Sequence, residues 1–333
     1  MIEEIDIENS NSSDFQSYIP KETTKNLEVD DSAYTLLEYI SLDWPAQSFD
    51  FISDYKIVTG TNPINDNPKL ITLDFKKCDF DKNPNINKNL KIKEHQTNYS
   101  FNKIRYNLYT EYVQCISDNN LCFYNSNIKL IKDIYIEQGI SYGLTNTDSF
   151  TVIGSKCGEL LFYNDLFQNI TNIKLHNGSV ESIVCTDGCI YSGSTDKKVI
   201  SYDFKSNKPI FELNFDSEIN ALDFSANTLC VGDDSGIIRL IDIRNTRNIE
   251  SITWHNTPIS SISYVEKDVF ISASDEQVAL WDTSFEEEWE YHKYIYFVHQ
   301  GNTFYKDVRV CRGNSNLIFT TALEGITLFS PIK

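Results

Sequence analysis

Two histidine–aspartate pairs recur at one separation in this chain: His176 with Asp196 and His255 with Asp275, each 20 residues apart. An imidazole oriented by a carboxylate is the core of general acid–base chemistry. A second candidate is Cys185-Thr186-Asp187-Gly188-Cys189, a spacing that zinc sites can use. Neither reads as chemistry. No second Cys/His pair lies near the cysteines in sequence, and Asp187-Gly188 predicts a hairpin turn that leaves the thiols on flanking strands. No HExxH, GxSxG, kinase-type or phosphate-cradling motif is present. The chain is therefore expected to be no enzyme and to carry no metal and no cofactor.

What the pairs do express is a repeat. Apolar strands close on an aromatic or aliphatic residue followed by Asp, Asn or Ser at Leu73-Asp74, Tyr124-Asn125, Tyr163-Asn164, Tyr202-Asp203, Ile241-Asp242, Trp281-Asp282 and Phe329-Ser330. From the second to the sixth, the closings are 39, 39, 39 and 40 residues apart. His95, His176 and His255 keep the same beat, about two units apart each time. A period in this range with a Trp-Asp-like closing signals a propeller blade, and seven closings predict seven blades. Within a blade, a buried His, an Asp on a tight turn and a Ser or Thr satisfy polar backbone groups near the core. That structural role outweighs a catalytic one for both pairs.

The expected architecture is all-β, a seven-bladed propeller over residues 44–333 with a short N-terminal α-helix. Residues 1–29 are acidic and polar, which predicts a flexible segment. Asp30-Asp31-Ser32 supplies helix-capping chemistry, and Tyr34, Leu37 and Ile40 recur at i, i+3, i+6, predicting a helix over 30–43. Ser48-Phe49-Asp50-Phe51-Ile52 alternates like a strand. An open ring would expose strand edges, so this 48–52 strand is expected to complete the last blade.

The formal net charge is −19, with 48 Asp and Glu against 29 Lys and Arg. That balance argues against direct contact with nucleic acid or anionic membrane, whose phosphates need Lys and Arg. It favours the steering of basic partners. The opening residues lack a basic n-region and an apolar h-region, so no secretory signal is expected. The eight cysteines show no framework spacing and read as reduced thiols of an intracellular protein.

Two places could bind a basic partner. The run Glu286-Glu287-Glu288-Trp289-Glu290 carries an indole anchor among four carboxylates and leads from the sixth blade into the seventh. It is expected to lie beside the 30–43 helix, forming a groove for a basic amphipathic helix. The second place is the set of lead-ins to the blades' first strands, where Tyr142, Glu181, Asp216 and Glu218 fall. On a propeller these ring the mouth of the central channel, where acids would hold a Lys/Arg-rich extended peptide.

Both ends of the chain resemble one family. The stretch from Asp31 through Trp44-Pro45 to Asp50, then Tyr296-Phe297-Val298-His299-Gln300-Gly301-Asn302 and Thr320 to Phe329, are similar to the glutamate-rich WD-repeat proteins. These serve as ribosome-assembly factors and are related to the histone-binding WD-repeat proteins of chromatin complexes. The resemblance spans roughly residues 18 to 333. It implies that Tyr34, Leu37, Phe297 and the 286–290 run line a side groove, while Tyr142, Glu181 and Glu218 face a basic tail. It further implies a nuclear or nucleolar factor, with a possible cytoplasmic pool. Such a factor would be a monomer that chaperones the basic large-subunit ribosomal protein L-three and meets the pre-ribosome transiently. Histone binding is the alternative.

Overall fold

The computed structural model describes residues 4–6, 30–78, 80, 89–186, 188–285 and 292–332. Seven sheets succeed one another along the chain, each built on four antiparallel strands. They span residues 46–96, 103–135, 140–174, 180–214, 219–253, 259–299 and 307–331, the last completed by a strand from the beginning of the chain. Each sheet's first strand packs against the first strands of its neighbours, and the seventh meets the first, closing a ring. The number of blades and their period are those of the seven closing dipeptides.

Burial follows position in the blade. The second and third strands are flanked by neighbouring blades on both faces and read as continuous buried runs, as in Cys189–Ser194 and Lys198–Asp203. The outermost strands, such as Lys91–Gln96 and Asn169–Lys174, lie on the outer wall and are mostly exposed. A strand covered on both faces must be apolar or small throughout, whereas a wall strand can be polar.

Small residues set how closely the blades approach. A Cβ on Gly154, Gly193 or Gly232 would stand 2.6, 2.5 and 2.5 Å from Val180, Ile219 and Ile259 respectively. These three partners each begin the following blade's first strand. The 39-residue recurrence of glycine is thus a packing requirement between blades, where any side chain would push them apart.

The beginning of the chain departs from the expected helix. Only Asp31–Ala33 is helical, a single 3-10 turn with Asp30 accepting from Ser32 N. Tyr34–Ser41 is instead the outermost strand of the seventh blade, antiparallel to Gly325–Pro331, with Leu37 opposite Phe329 and Ile40 opposite Ile326. A register shift between Tyr34 and Leu36 explains the misleading periodicity. The extra residue puts Tyr34, opposite Pro331, on the same side as Leu37, opposite Phe329, which imitates a helical i, i+3 stripe. Leu36 and Ile40 point the other way, into the joint between the seventh and first blades.

The ring is therefore sealed by residues 34–41 and not by the 48–52 strand. Residues 48–52 lie within Ala46–Ser53, the innermost strand of the first blade, paired with Lys56–Thr61. Every residue from Ser48 to Ile52 is buried, which an outer closing strand could not be. The seam is aromatic: Phe51 and Phe75 both stand 5.2 Å from Phe319, edge to face. Separately, Glu4–Asp6 adds a parallel fifth strand outside Lys208–Asn214 of the fourth blade.

Candidate functional site

Strand order dictates which loops share a face. In an antiparallel four-stranded blade, the lead-in to the first strand and the turn between the second and third strands emerge on the same side. On this upper face stand the exposed carboxylates of Asp66, Asp118, Asp216, Glu218, Asp234 and Glu324, drawn from the first, second, fifth and seventh blades. Cations on that face are largely engaged: Lys156 Nζ stands 3.1 Å from Asp118 and Lys306 Nζ 3.7 Å from Asp275. The upper face thus concentrates negative charge that the sequence spreads over some 300 residues.

The four channel-mouth residues expected from sequence separate into two groups. Tyr142, 41% exposed, and Glu181 line an upper cavity of about 300 Å³ at the channel mouth. Glu181 accepts a hydrogen bond from Ser141 Oγ at 2.7 Å, which holds its carboxylate toward the channel. Asp216 and Glu218 are exposed on the same face, in the lead-in to the fifth blade, and do not line that cavity.

Below the mouth the channel changes sign. A second cavity of about 310 Å³ shares Lys103, Tyr142, Asn220 and Ser260 with the first and adds Asp50, Arg105, Asp223, Arg309 and Arg312. Beside it lies Asp307, whose side chain reaches three other blades. Its Oδ2 accepts from Ser48 Oγ at 2.7 Å and Arg105 Nη1 at 3.1 Å, and its Oδ1 accepts from Ser261 Oγ at 2.9 Å. Lys103 Nζ is 3.8 Å away. One fully buried carboxylate therefore joins the seventh blade to the sixth, first and second. Burial alone would raise the Asp307 carboxyl, but Lys103, Arg105 and Arg309 outweigh it and hold it far below the usual carboxylate range.

Asp50 and Asp223 play matching parts in their own blades. Asp50 accepts from Phe51 N and, across the blade joint, from Tyr106 N, each at 2.8 Å. Asp223 accepts from Phe224 N at 2.9 Å and from Tyr264 N of the next blade at 2.7 Å. The channel polar network escaped the sequence reading. Its signal was available as alternation of polar residues in otherwise apolar strands: Ser48 and Asp50, Lys103 and Arg105, Asp307 and Arg309.

The two histidine pairs prove unequal. His176 Nδ1 lies 3.0 Å from Asp196 Oδ1 and its Nε2 lies 2.8 Å from Ser192 Oγ, while Asn177 N donates to Asp196 at 2.8 Å. His255 Nε2 lies 2.7 Å from Ser272 Oγ, which also accepts from Trp281 Nε1 at 2.8 Å. Asp275 is turned instead toward Lys306. His176 and His255 are buried, so these chains staple strands together and present no base to a substrate. Burial pushes the Cys185 thiol up to about 12, and no disulfide joins the described cysteines. Among the described residues no three His, Cys, Asp or Glu side chains gather as metal ligands.

Burial pushes both His255 and His299 down to about 3. In the unfolded chain they titrate near the ordinary histidine value, so below it the unfolded state binds protons that the folded state refuses. Their stability contribution is complete above about pH 6.5 and is lost as pH falls toward 3. We expect urea midpoints to drop steeply between pH 6.5 and 4. Each histidine should cost about 1 kcal/mol per pH unit in that window, and His255→Gln should flatten the profile.

The side-groove residues do meet, though on strands. Tyr34 packs edge to face on Phe297 with centroids 5.2 Å apart, and its hydroxyl lies 2.9 Å from His299 Nδ1. Leu37 joins the same cluster between the sixth and seventh blades. A close-packed joint between two outer strands replaces the expected helix-lined groove. Glu286, Glu287, Glu288, Trp289 and Glu290, expected to border that groove, lie outside the described residues.

No family model matches the chain. Over 137 residues it is 23% identical to myosin heavy chain kinase C of Dictyostelium discoideum, a match covering 40% of this chain and 18% of that protein. The chain thus spans less than a fifth of the length of the curated relative it matches. With seven four-stranded blades closed by an N-terminal strand, the chain is a β-propeller consistent with a WD-repeat family, a scaffold suited to protein–protein interaction.

Proposed function

We propose that this propeller is a non-catalytic chaperone whose acidic upper face binds a basic protein. The client the resemblance implies is the large-subunit ribosomal protein L-three, held for 60S assembly in the nucleus or nucleolus. The observation that carries this reading is the set of exposed carboxylates, drawn from four blades, on one face of a closed ring within a chain of net charge −19. A newly made client rich in Lys and Arg binds RNA nonspecifically or aggregates. Carboxylates on that face screen those charges, and ribosomal RNA displaces them by its greater charge density.

Affinity purification from native extract at low salt tests this directly. The expected result is a co-purifying basic ribosomal protein whose recovery falls steeply as salt rises through the range where the screening length shortens. Reversing Asp216 and Glu218 to Lys should weaken capture roughly tenfold, as expected for two rim charges turned from attraction to repulsion. Recovery of histones in place of a ribosomal protein would favour the chromatin reading. Capture of no basic protein at all would end both.

A further inference from the structure

One amine stands apart from the ion pairs of the channel. Lys103 opens the first strand of the second blade, Lys103–Asn107, and lines both the mouth cavity and the cavity beneath it. Its side chain keeps 20% exposure, and Asp307 Oδ1, the one carboxylate oxygen near it, lies 3.8 Å from Nζ, beyond hydrogen-bonding distance. That oxygen accepts from Ser261 Oγ, while Oδ2 takes Ser48 and Arg105. The other carboxylates facing the channel are committed elsewhere. Asp50 and Asp223 accept from backbone N–H groups, Glu181 accepts from Ser141 Oγ, and Asp275 faces Lys306. Nζ thus has no acceptor among the described residues, and unlike Arg309 Nε it is not sealed away from water.

An ammonium in this place is poorly held. Burial pushes Lys103 down to about 7, Arg105 and Arg309 add to the fall, and Asp307 and Asp50 recover only part of it. About half of the molecules therefore carry a free amine near neutral pH, with its lone pair open to the cavities. With that amine neutral, the cations Arg105, Arg309 and Arg312 are equal in number to the carboxylates Asp50, Asp223 and Asp307.

We propose that Lys103 is a nucleophilic lysine that captures small uncharged aldehydes as a Schiff base. The nitrogen lone pair adds to the carbonyl carbon, a proton passes from nitrogen to the carbonyl oxygen, and the carbinolamine loses water to leave a C=N bond. Nothing is oxidised or reduced. The neutral imine preserves the balance of charge around it, which a cationic or anionic adduct would upset. Access sets the class of electrophile. The mouth cavity, about 300 Å³, admits a small molecule, and Glu181 lines it beneath an acidic face that repels anions.

Reductive alkylation of the full chain tests the proposal, with limiting propionaldehyde and cyanoborohydride followed by peptide mass mapping. The reductant converts each imine to a stable secondary amine. At about pH 7, Lys103 should label at least about tenfold faster than the exposed Lys76 and Lys77, because an ordinary lysine is almost wholly protonated there. Its rate should level off above about pH 8, whereas exposed lysines keep gaining free amine to about pH 10. Glyoxylate, an anionic aldehyde, should label Lys103 at least about tenfold more slowly than propionaldehyde, with Lys76 as the reference for intrinsic reactivity. E181Q at the mouth should narrow that gap about twofold. Labelling of Lys103 no faster than Lys76 and Lys77, labelling only in urea, or a rate that climbs alongside the exposed lysines would overturn the proposal. Equal labelling by glyoxylate in the parent chain would overturn the restriction to uncharged aldehydes.

Discussion

Replacing Asp307 by Ala is expected to destabilise the propeller by about 3–5 kcal/mol, the usual cost of stranding buried partner charges. The carboxylate is fully buried, and Lys103 and Arg105 are mostly so, at 20% and 13% side-chain exposure. Removing it leaves two cations side by side on the first strand of the second blade without their shared counter-charge. It also takes an acceptor from Ser48 and Ser261. Asp307→Asn separates charge from shape. An amide fills the same space but cannot neutralise Arg105, so the loss should be nearly as large. Adding Lys103→Met to the Asn variant should restore part of it, because one stranded cation is gone. Urea unfolding of the parent, Asp307→Asn, Lys103→Met and the double variant forms the cycle. Independence of the two substitutions would show that Asp307 does not act through Lys103.

The second large effect concerns ring closure. A chain beginning at residue 43 lacks the strand Tyr34–Ser41, and with it Leu36 and Ile40 from the seam between the last and first blades. The whole edge of Gly325–Pro331 then loses its partner, exposing an apolar strand ready to pair with another chain. We expect this truncated chain to lose cooperative unfolding and to aggregate. A synthetic peptide of residues 30–43 added in trans should restore solubility by re-forming the ladder Leu37–Phe329 and Ile40–Ile326. A peptide with Ile40→Pro should fail, since proline removes a ladder donor in the middle of the strand. A truncated chain that unfolds cooperatively without the peptide would show that the seventh blade closes by other means.

The same strand illustrates what was legible beforehand. Tyr34, Leu37 and Ile40 have helical spacing, and capping chemistry precedes them, so local rules favoured a helix. The 3-10 turn at Asp31–Ala33 is all that the capping chemistry achieved. The strand formed because an open blade edge offered seven consecutive pairing positions, a tertiary reward that outweighs a local preference. Likewise, Phe49-Asp50-Phe51 reads as a strand from sequence, but whether it lies innermost or outermost depends on which edge is vacant. The residues expected to bind a partner show the same limit. Tyr34, Leu37 and Phe297 do meet, but in a packed joint and not in the groove they were expected to line. Glu181 and Tyr142 do reach the channel mouth.

Residue order alone was enough for the number of blades, their period and the acidic balance, because each is a sum or recurrence along one dimension. Close approach of the third, fourth and fifth blades to their successors demands glycine at a 39-residue spacing, and buried strands demand apolar runs, so the repeat is written locally. Which strand seals the ring, and which charges meet in the channel, depend on contacts between residues more than 200 positions apart, such as Arg105 with Asp307. No local pattern encodes a partner that only the closed ring brings within 3.1 Å.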